Sequence, residues 1–242
     1  MRSMKPCTLL VLSLAAVLVA AGRSPGDAEA KTEGTAAPPA LSWRLERADL
    51  VDGWQPEVLG APRPWPQGAG GPALWFDGER DGLVLPVNPI AGLGRFTIEV
   101  LIRPENGGPE AQRFLHAAGA GEDRAMIELR MIDDRTWCLD TYLRSGTNGL
   151  TLIDRAKTHP AGVWTWVALV YDGQTMSAWV DGVRETSGPL RLAPIGAGKT
   201  SIGVRQSRTY WFKGAIAEVR ISAEALPPAK LQRAEGHPAG AE

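Results

Sequence analysis

The segment RQSRTYWFKG, Arg205 to Gly214, sets a tyrosine and a tryptophan among basic residues. An exposed phenol or indole can stack on the apolar face of a sugar ring while guanidinium groups donate hydrogen bonds to its oxygens. Tyr210 and Trp211 are therefore candidate stacking platforms. Arg208, and Arg144 in the turn YLRSGTNG, are candidate hydrogen-bonding partners. A competing reading folds Trp211 back as a lid on the edge of its own domain, because tryptophan is well buried on average. Catalytic and metal chemistry find less support. His116, His159 and His237 are scattered without the spacing of a zinc site and read as surface or loop residues. No glycine-rich loop matches a phosphate cradle and no serine stands in a Gly-x-Ser-x-Gly elbow. Met126, Met131 and Met176 read as core filler. The expectation is a chain with no catalytic residues, no metal ligands and no cofactor.

The elements that position these residues announce themselves as strands. Short apolar segments such as ALWFDGERDGLVLPV, GRFTIEVLIRPENGG and AMIELRMIDD alternate with glycine, proline, aspartate and asparagine, which argues for an all-β sandwich or barrel. Only AEALPPAKLQRAEG suits a helical turn or two, and Pro227 and Pro228 keep it short. The stretch WTWVALVYDGQTMSAWVDG, Trp164 to Gly182, holds three of the nine tryptophans. Trp164, Trp166, Ala168 and Val170 fall on one side of a strand and Val167, Leu169 and Tyr171 on the other, so the strand is expected to be central and covered on both faces. Asp172-Gly173 and Asp181-Gly182 supply the positive φ of tight turns. The tryptophans here are expected to be core and not open platforms.

The ends of the chain read differently. Arg2 and Lys5 precede an apolar run from about Thr8 to Ala21, the layout of a secretory signal peptide over residues 1–21. Residues 22–40, GRSPGDAEAKTEGTAAPPA, are small, polar and proline-containing and read as a flexible linker; the domain then spans 41–233 and a disordered tail 234–242. Removal of residues 1–21 takes Cys7 with it and leaves Cys138, in TWCLDTYL, as a buried thiol without a disulfide partner. No membrane span is expected in the mature chain. With 26 Lys plus Arg against 27 Asp plus Glu, there is no basic excess to attract nucleic acid.

LWFDGERDGLVLP at Leu74 to Pro86, FTIEVLIRP at Phe96 to Pro104, WTWVALVYDG, AWVDG and FKGAIAEVRIS at Phe212 to Ser222 occur in an order that resembles the laminin-G-like jelly-roll domains of the concanavalin A-like lectin and glucanase superfamily. The resemblance implies two antiparallel sheets in a jelly-roll sandwich, with any ligand on the concave face or its rim. Glucanase members carry a Glu-x-Asp-x-x-Glu signature, because retaining hydrolysis needs paired carboxylates. The nearest run here, Glu128 to Asp133, has Arg130 where the second carboxylate belongs, and Glu99 falls in a structural motif. The resemblance also raises calcium, for which Asp77 and Asp81 offer two ligands. Ala217, in GAIAEVR, stands where relatives often have aspartate, so calcium binding is expected to be weak or absent. The leading expectation is a non-enzymatic exported module, secreted, periplasmic or on the cell surface, that binds a glycan or an extracytoplasmic protein. The alternatives are a structural spacer without a small ligand and a divergent carbohydrate-active enzyme.

Overall fold

The structure, a computed structural model, describes residues 41–65 and 71–234. The signal peptide, the linker and His237 lie outside these residues, as does the tail except for Ala234, which is buried. In chain order the strands are β1 (Leu41–Arg44), β2 (Glu57–Leu59), β3 (Arg63–Trp65), β4 (Ala73–Asp77), β5 (Gly82–Leu85), β6 (Phe96–Pro104), β7 (Ala111–Ala118) and β8 (Arg124–Met131). They continue with β9 (Thr136–Ser145), β10 (Asn148–Ile153), β11 (His159–Pro160), β12 (Thr165–Tyr171), β13 (Thr175–Val180), β14 (Val183–Pro189), β15 (Lys199–Ile202) and β16 (Lys213–Ser222). A single 3-10 turn, Pro228–Lys230, is what the proline-containing segment near the end forms.

Two eight-stranded antiparallel sheets result. The first runs β14-β13-β12-β6-β16-β4-β3, with β1 added to β16, and the second runs β10-β9-β8-β7-β15-β5-β2, with β11 added to β9. One apolar core fills the space between them, with Trp43, Phe76, Phe114, Trp137 and Phe212 fully enclosed. Phe212 meets both Phe76 and Phe114 edge to face, at centroid distances of 6.5 and 5.6 Å. The aromatic that closes the RQSRTYWF segment therefore anchors it in the core.

The outer faces of the two sheets differ. On the first, β12 is buried on both sides: Val167, Leu169 and Tyr171 enter the main core, while Trp166, Ala168 and Val170 join two smaller apolar clusters on the outside. The segment 225–234 covers those clusters, through Leu226, Leu231 and Ala234. Polar groups fasten this segment. Thr97 Oγ1 donates to the Glu224 carbonyl and accepts the Leu226 N–H, and Glu99 Oε1 accepts the Gln232 N–H at 2.7 Å. Glu99 is thus a structural carboxylate. Asp181 Oδ1 accepts both the Trp166 and the Ala234 N–H, each at 3.0 Å. Asp181 and Gly182 have φ of 46° and 73° and join β13 to β14 as a two-residue hairpin of the primed type that suits the strand twist.

The aspartates considered for calcium are engaged in a turn. Asp77 Oδ1 accepts the N–H groups of Glu79, Arg80 and Asp81, and Asp81 accepts those of Ala61 and Asp77. Cys138 is fully buried, on the outward side of β9 and in register with Arg130. No helix among the described residues is long and apolar enough to cross a membrane.

If the segment 225–234 is an integral layer, Leu231→Ala should lower unfolding free energy by about 2–3 kcal/mol, the usual cost of truncating a buried leucine. Urea denaturation followed by tryptophan fluorescence measures this, and an unchanged midpoint would show that the segment packs without contributing to stability.

Candidate functional site

The outer face of the second sheet is charged. Along β8, Ala125, Ile127, Leu129 and Met131 point into the core, so Arg124, Met126, Glu128 and Arg130 point out. On β9 the outward set is Cys138, Asp140, Tyr142 and Arg144. The register places Glu128 opposite Asp140, Met126 opposite Tyr142, and Arg124 opposite Arg144. On β7, Arg113 stands opposite Glu128 and His116 opposite Met126, with a register shift between Arg113 and Leu115. Strict alternation would send residues three apart to opposite faces. The bulge at Phe114 absorbs one residue and brings Arg113 and His116 to the same face, while Phe114 itself stays in the core.

These side chains line an open cleft of about 230 Å³, formed by Arg113, Arg124, Met126, Glu128, Arg130, Asp140, Tyr142, Thr151 and Arg205. Glu128 and Asp140 are each only 2% exposed. Arg130 Nη2 lies between them, 2.6 Å from Asp140 Oδ2 and 3.3 Å from Glu128 Oε2, and Arg113 Nε reaches the same Glu128 oxygen at 2.7 Å. Burial pushes the Glu128 carboxyl up to about 7, helped by the charge of Asp140 and opposed by Arg113 and Arg130. His116 moves the other way, to about 4, because burial and then Arg205, Arg124 and Arg113 disfavour its cation. Its Nδ1 accepts the Gln206 N–H at 3.1 Å, which puts the proton of the neutral ring on Nε2. Four polar atoms in the cleft walls make no hydrogen bond: Arg113 Nε, which has only its ionic contact with Glu128, Arg113 Nη1, Arg124 Nε and Asp140 Oδ1.

The residues singled out in the sequence reach this face unequally. Tyr210 adopts a left-handed backbone, φ 60°, and is 45% exposed. Its carbonyl accepts the Arg113 N–H, and the Arg113 guanidinium lies 3.7 Å from its ring centroid, so it borders the cleft. Arg144 projects from the same face beside Arg124, where its Nε donates to the Gly146 carbonyl. Arg208 is drawn away, paired at 2.6 Å with Glu57 of β2 at the opposite edge of the sheet. Trp211 is half-buried and does not line the cleft. His116 is not the surface residue its scatter suggests but is buried; His159 is half-buried in the short strand β11, its ring tilted 4.9 Å from Trp137 and in contact with Glu185 at 2.6 Å. Met131 and Met176 fill the core as expected, whereas Met126 faces the cleft.

Arg113 and Asp140 escaped the sequence reading, and Glu128 and Arg130 were set aside there because arginine stands where the second carboxylate of a strand signature belongs. Asp140 and Arg113 reach Glu128 from the neighbouring strands. The available signal was parity: RAMIELRM and TWCLDTYLRS each keep all their charged residues on one side of the alternation.

A laminin G family model, described as the concanavalin A-like lectin/glucanases superfamily, matches residues 77–232. The chain belongs to this superfamily. The concanavalin A-like fold is also found at low identity in solved structures. Domain 4 of AbnA, a GH43 extracellular arabinanase from Geobacillus stearothermophilus, in complex with arabinotriose, superposes with a TM-score of 0.53 at 23% identity, over 80% of this chain and 86% of that one. The binding domain of Paraclostridial Mosquitocidal Protein 1 gives 0.58 at 11% identity, over 78% of this chain and 49% of that one. The Botulinum neurotoxin serotype G binding domain gives 0.56 at 10% identity, with coverage of 78% and 49%. No curated protein matches the sequence.

Glu128 holds its proton more tightly folded than unfolded, where its value is 4.5. Its contribution to stability is therefore complete below pH 4.5 and is lost as pH rises through about 7. Glu99, also raised by burial, acts in the same sense, and His116, lowered, acts oppositely between about 4 and 6.5. Comparing Glu128→Gln with the wild type isolates the first of these. In urea titrations from pH 5 to pH 8, the stability difference should shift by about 1–2 kcal/mol in favour of the variant. Parallel pH profiles for the two proteins would contradict this assignment.

Proposed function

We propose that this chain is a non-enzymatic carbohydrate-binding module whose ligand sits in the cleft on the outer face of the second sheet. The observation that carries the proposal is the pairing of an unsatisfied acceptor, Asp140 Oδ1, with an unsatisfied donor, Arg113 Nη1, in a cleft that Tyr142 lines and Tyr210 borders. A sugar hydroxyl is donor and acceptor at once, so neighbouring hydroxyls complete both groups while the ring lies against an aromatic face. Arg124, whose guanidinium lies 5.0 Å from the Tyr142 ring, and Arg144 beside it extend the polar wall. The arabinanase domain holds an arabinotriose on this fold, which supports the sandwich as a sugar-binding scaffold. The other neighbours named above are binding domains as well. The reading includes export, on the layout of residues 1–21, with a linker to residue 40 and a domain from residue 41 to residue 233.

One observation favours a hydrolytic reading, since Glu128 and Asp140 are paired carboxylates and one of them has a raised pKa. Retaining hydrolysis needs an ionised carboxylate free to attack the anomeric carbon. Here Arg130 stands between the two groups and holds both, which suits a binding surface better than a reaction centre.

The test is a panel of immobilised neutral and charged glycans, with the best ligand then titrated by calorimetry. Tyr210→Ala and Tyr142→Ala should each weaken binding at least tenfold, about 1.4 kcal/mol, with melting temperature nearly unchanged. Absence of any glycan ligand would remove the carbohydrate reading. Release of reducing ends from a bound glycan, abolished in Glu128→Gln, would make the protein an enzyme.

A further inference from the structure

We infer that the saccharide received by the cleft carries an oxyanion, a uronic acid carboxylate or a sulfate ester, held by Arg113, Arg124 and Arg205. The inference rests on the carbohydrate reading above and deepens it. Four arginines and two carboxylates line the cleft, an excess of two positive charges. The whole chain has a formal net charge of −1, so the excess is local to this face.

The compensation within the cleft is uneven. Arg130 is matched by both buried carboxylates. Arg113 has a share of one oxygen of Glu128, which Arg130 also contacts, and otherwise only the face of the Tyr210 ring. Arg124 pairs at 2.7 Å with Glu122, whose side chain is 67% exposed, so solvent screens that contact. Arg205 makes no ion pair among the described residues. The Arg113 side chain is only 9% exposed, yet its Nη1 has no partner, and the enclosed Nε of Arg124 has none either. A buried donor on a cation is costly to leave unpaired. A neutral hydroxyl satisfies one such donor and leaves the charge uncompensated. An oxyanion supplies charge and several acceptor lone pairs together, in the planar arrangement that guanidinium groups match.

Two matched pairs of polymers test this by calorimetry on the full chain at about 0.15 M salt, where exposed charges are screened. They are polygalacturonate against its methyl ester, and dextran sulfate against dextran. The charged member of at least one pair should bind at least tenfold more tightly than its neutral counterpart, and the pair that shows the preference identifies carboxylate or sulfate as the group read. Arg205→Ala should reduce that affinity at least tenfold without changing the melting temperature. Arg95→Ala, which removes an exposed arginine from the bend just before β6 of the other sheet, should leave it unchanged. Equal affinity for both members of each pair overturns the inference, as does failure of both charged polymers to bind. A neutral ligand found on the glycan panel would in either case leave the carbohydrate reading standing alone. Equal losses in Arg95→Ala and Arg205→Ala would reduce the effect to diffuse attraction and also overturn it.

Discussion

A two-sheet sandwich buries one face of each sheet against the other and leaves two outer faces whose treatment is not dictated by the core. In this protein the two are resolved oppositely, and the rest of the molecule depends on that asymmetry. The first sheet presents Trp166, Ala168, Val170 and Trp179 outward, an apolar surface that water disfavours, and the segment 225–234 lies over it. The few polar groups beneath, Thr97, Glu99 and Asp181, are satisfied by backbone N–H groups of that covering segment. The second sheet presents arginines and carboxylates outward, and among the described residues no segment of comparable length covers β8 and β9. The exposed charged face is therefore the available one, and the cleft lies there.

Within that face the arginine and carboxylate side chains support one another. Removing Glu128 and Asp140 almost completely from water is unfavourable unless cations accompany them, and Arg130 and Arg113 do so at hydrogen-bonding distances. The compensation is incomplete in a directional way. Desolvation still dominates at Glu128 and raises its proton affinity, while the surrounding guanidinium groups, added to burial, keep His116 neutral. The result is a set of polar atoms held in place by ion pairs on rigid strands, several of them without an internal partner. Such pre-organisation lowers the ordering cost of binding.

The segment Arg205 to Gly214 connects the two halves of this arrangement. Phe212 is locked among Phe76 and Phe114, and Gln206 is tied to His116, so the stretch between crosses the second sheet with both ends fixed. Left-handed backbone at Arg208 and Tyr210 turns their side chains in different directions, one to Glu57 and the other to Arg113. Two residues only two apart in sequence thereby serve different strands of the same sheet, Arg208 the edge strand β2 and Tyr210 the central strand β7.

Much was legible in the amino-acid sequence because it depends on neighbours along the chain. The alternation in Thr165 to Tyr171 predicted a strand buried on both faces, the Asp-Gly pairs predicted the turns, and the ordered motifs from Leu74 to Ser222 predicted the sandwich. Local backbone preference and period-two burial suffice for the strand and the turns, whereas the sandwich was implied by the resemblance of the ordered motifs to laminin-G-like domains. The site did not follow by the same route. Glu128 looked like a failed signature because its second carboxylate was sought within its own strand, whereas Asp140 reaches it across the β8–β9 register and Arg113 from β7. A single bulged residue at Phe114 decides that Arg113 and His116 share a face, and nothing in AQRFLHAA alone reports it. In an unbulged strand, sequence spacing determines which side a residue occupies; only the pairing of strands decides where a bulge falls and which charges meet, because the contacts that set their energies lie perpendicular to the chain.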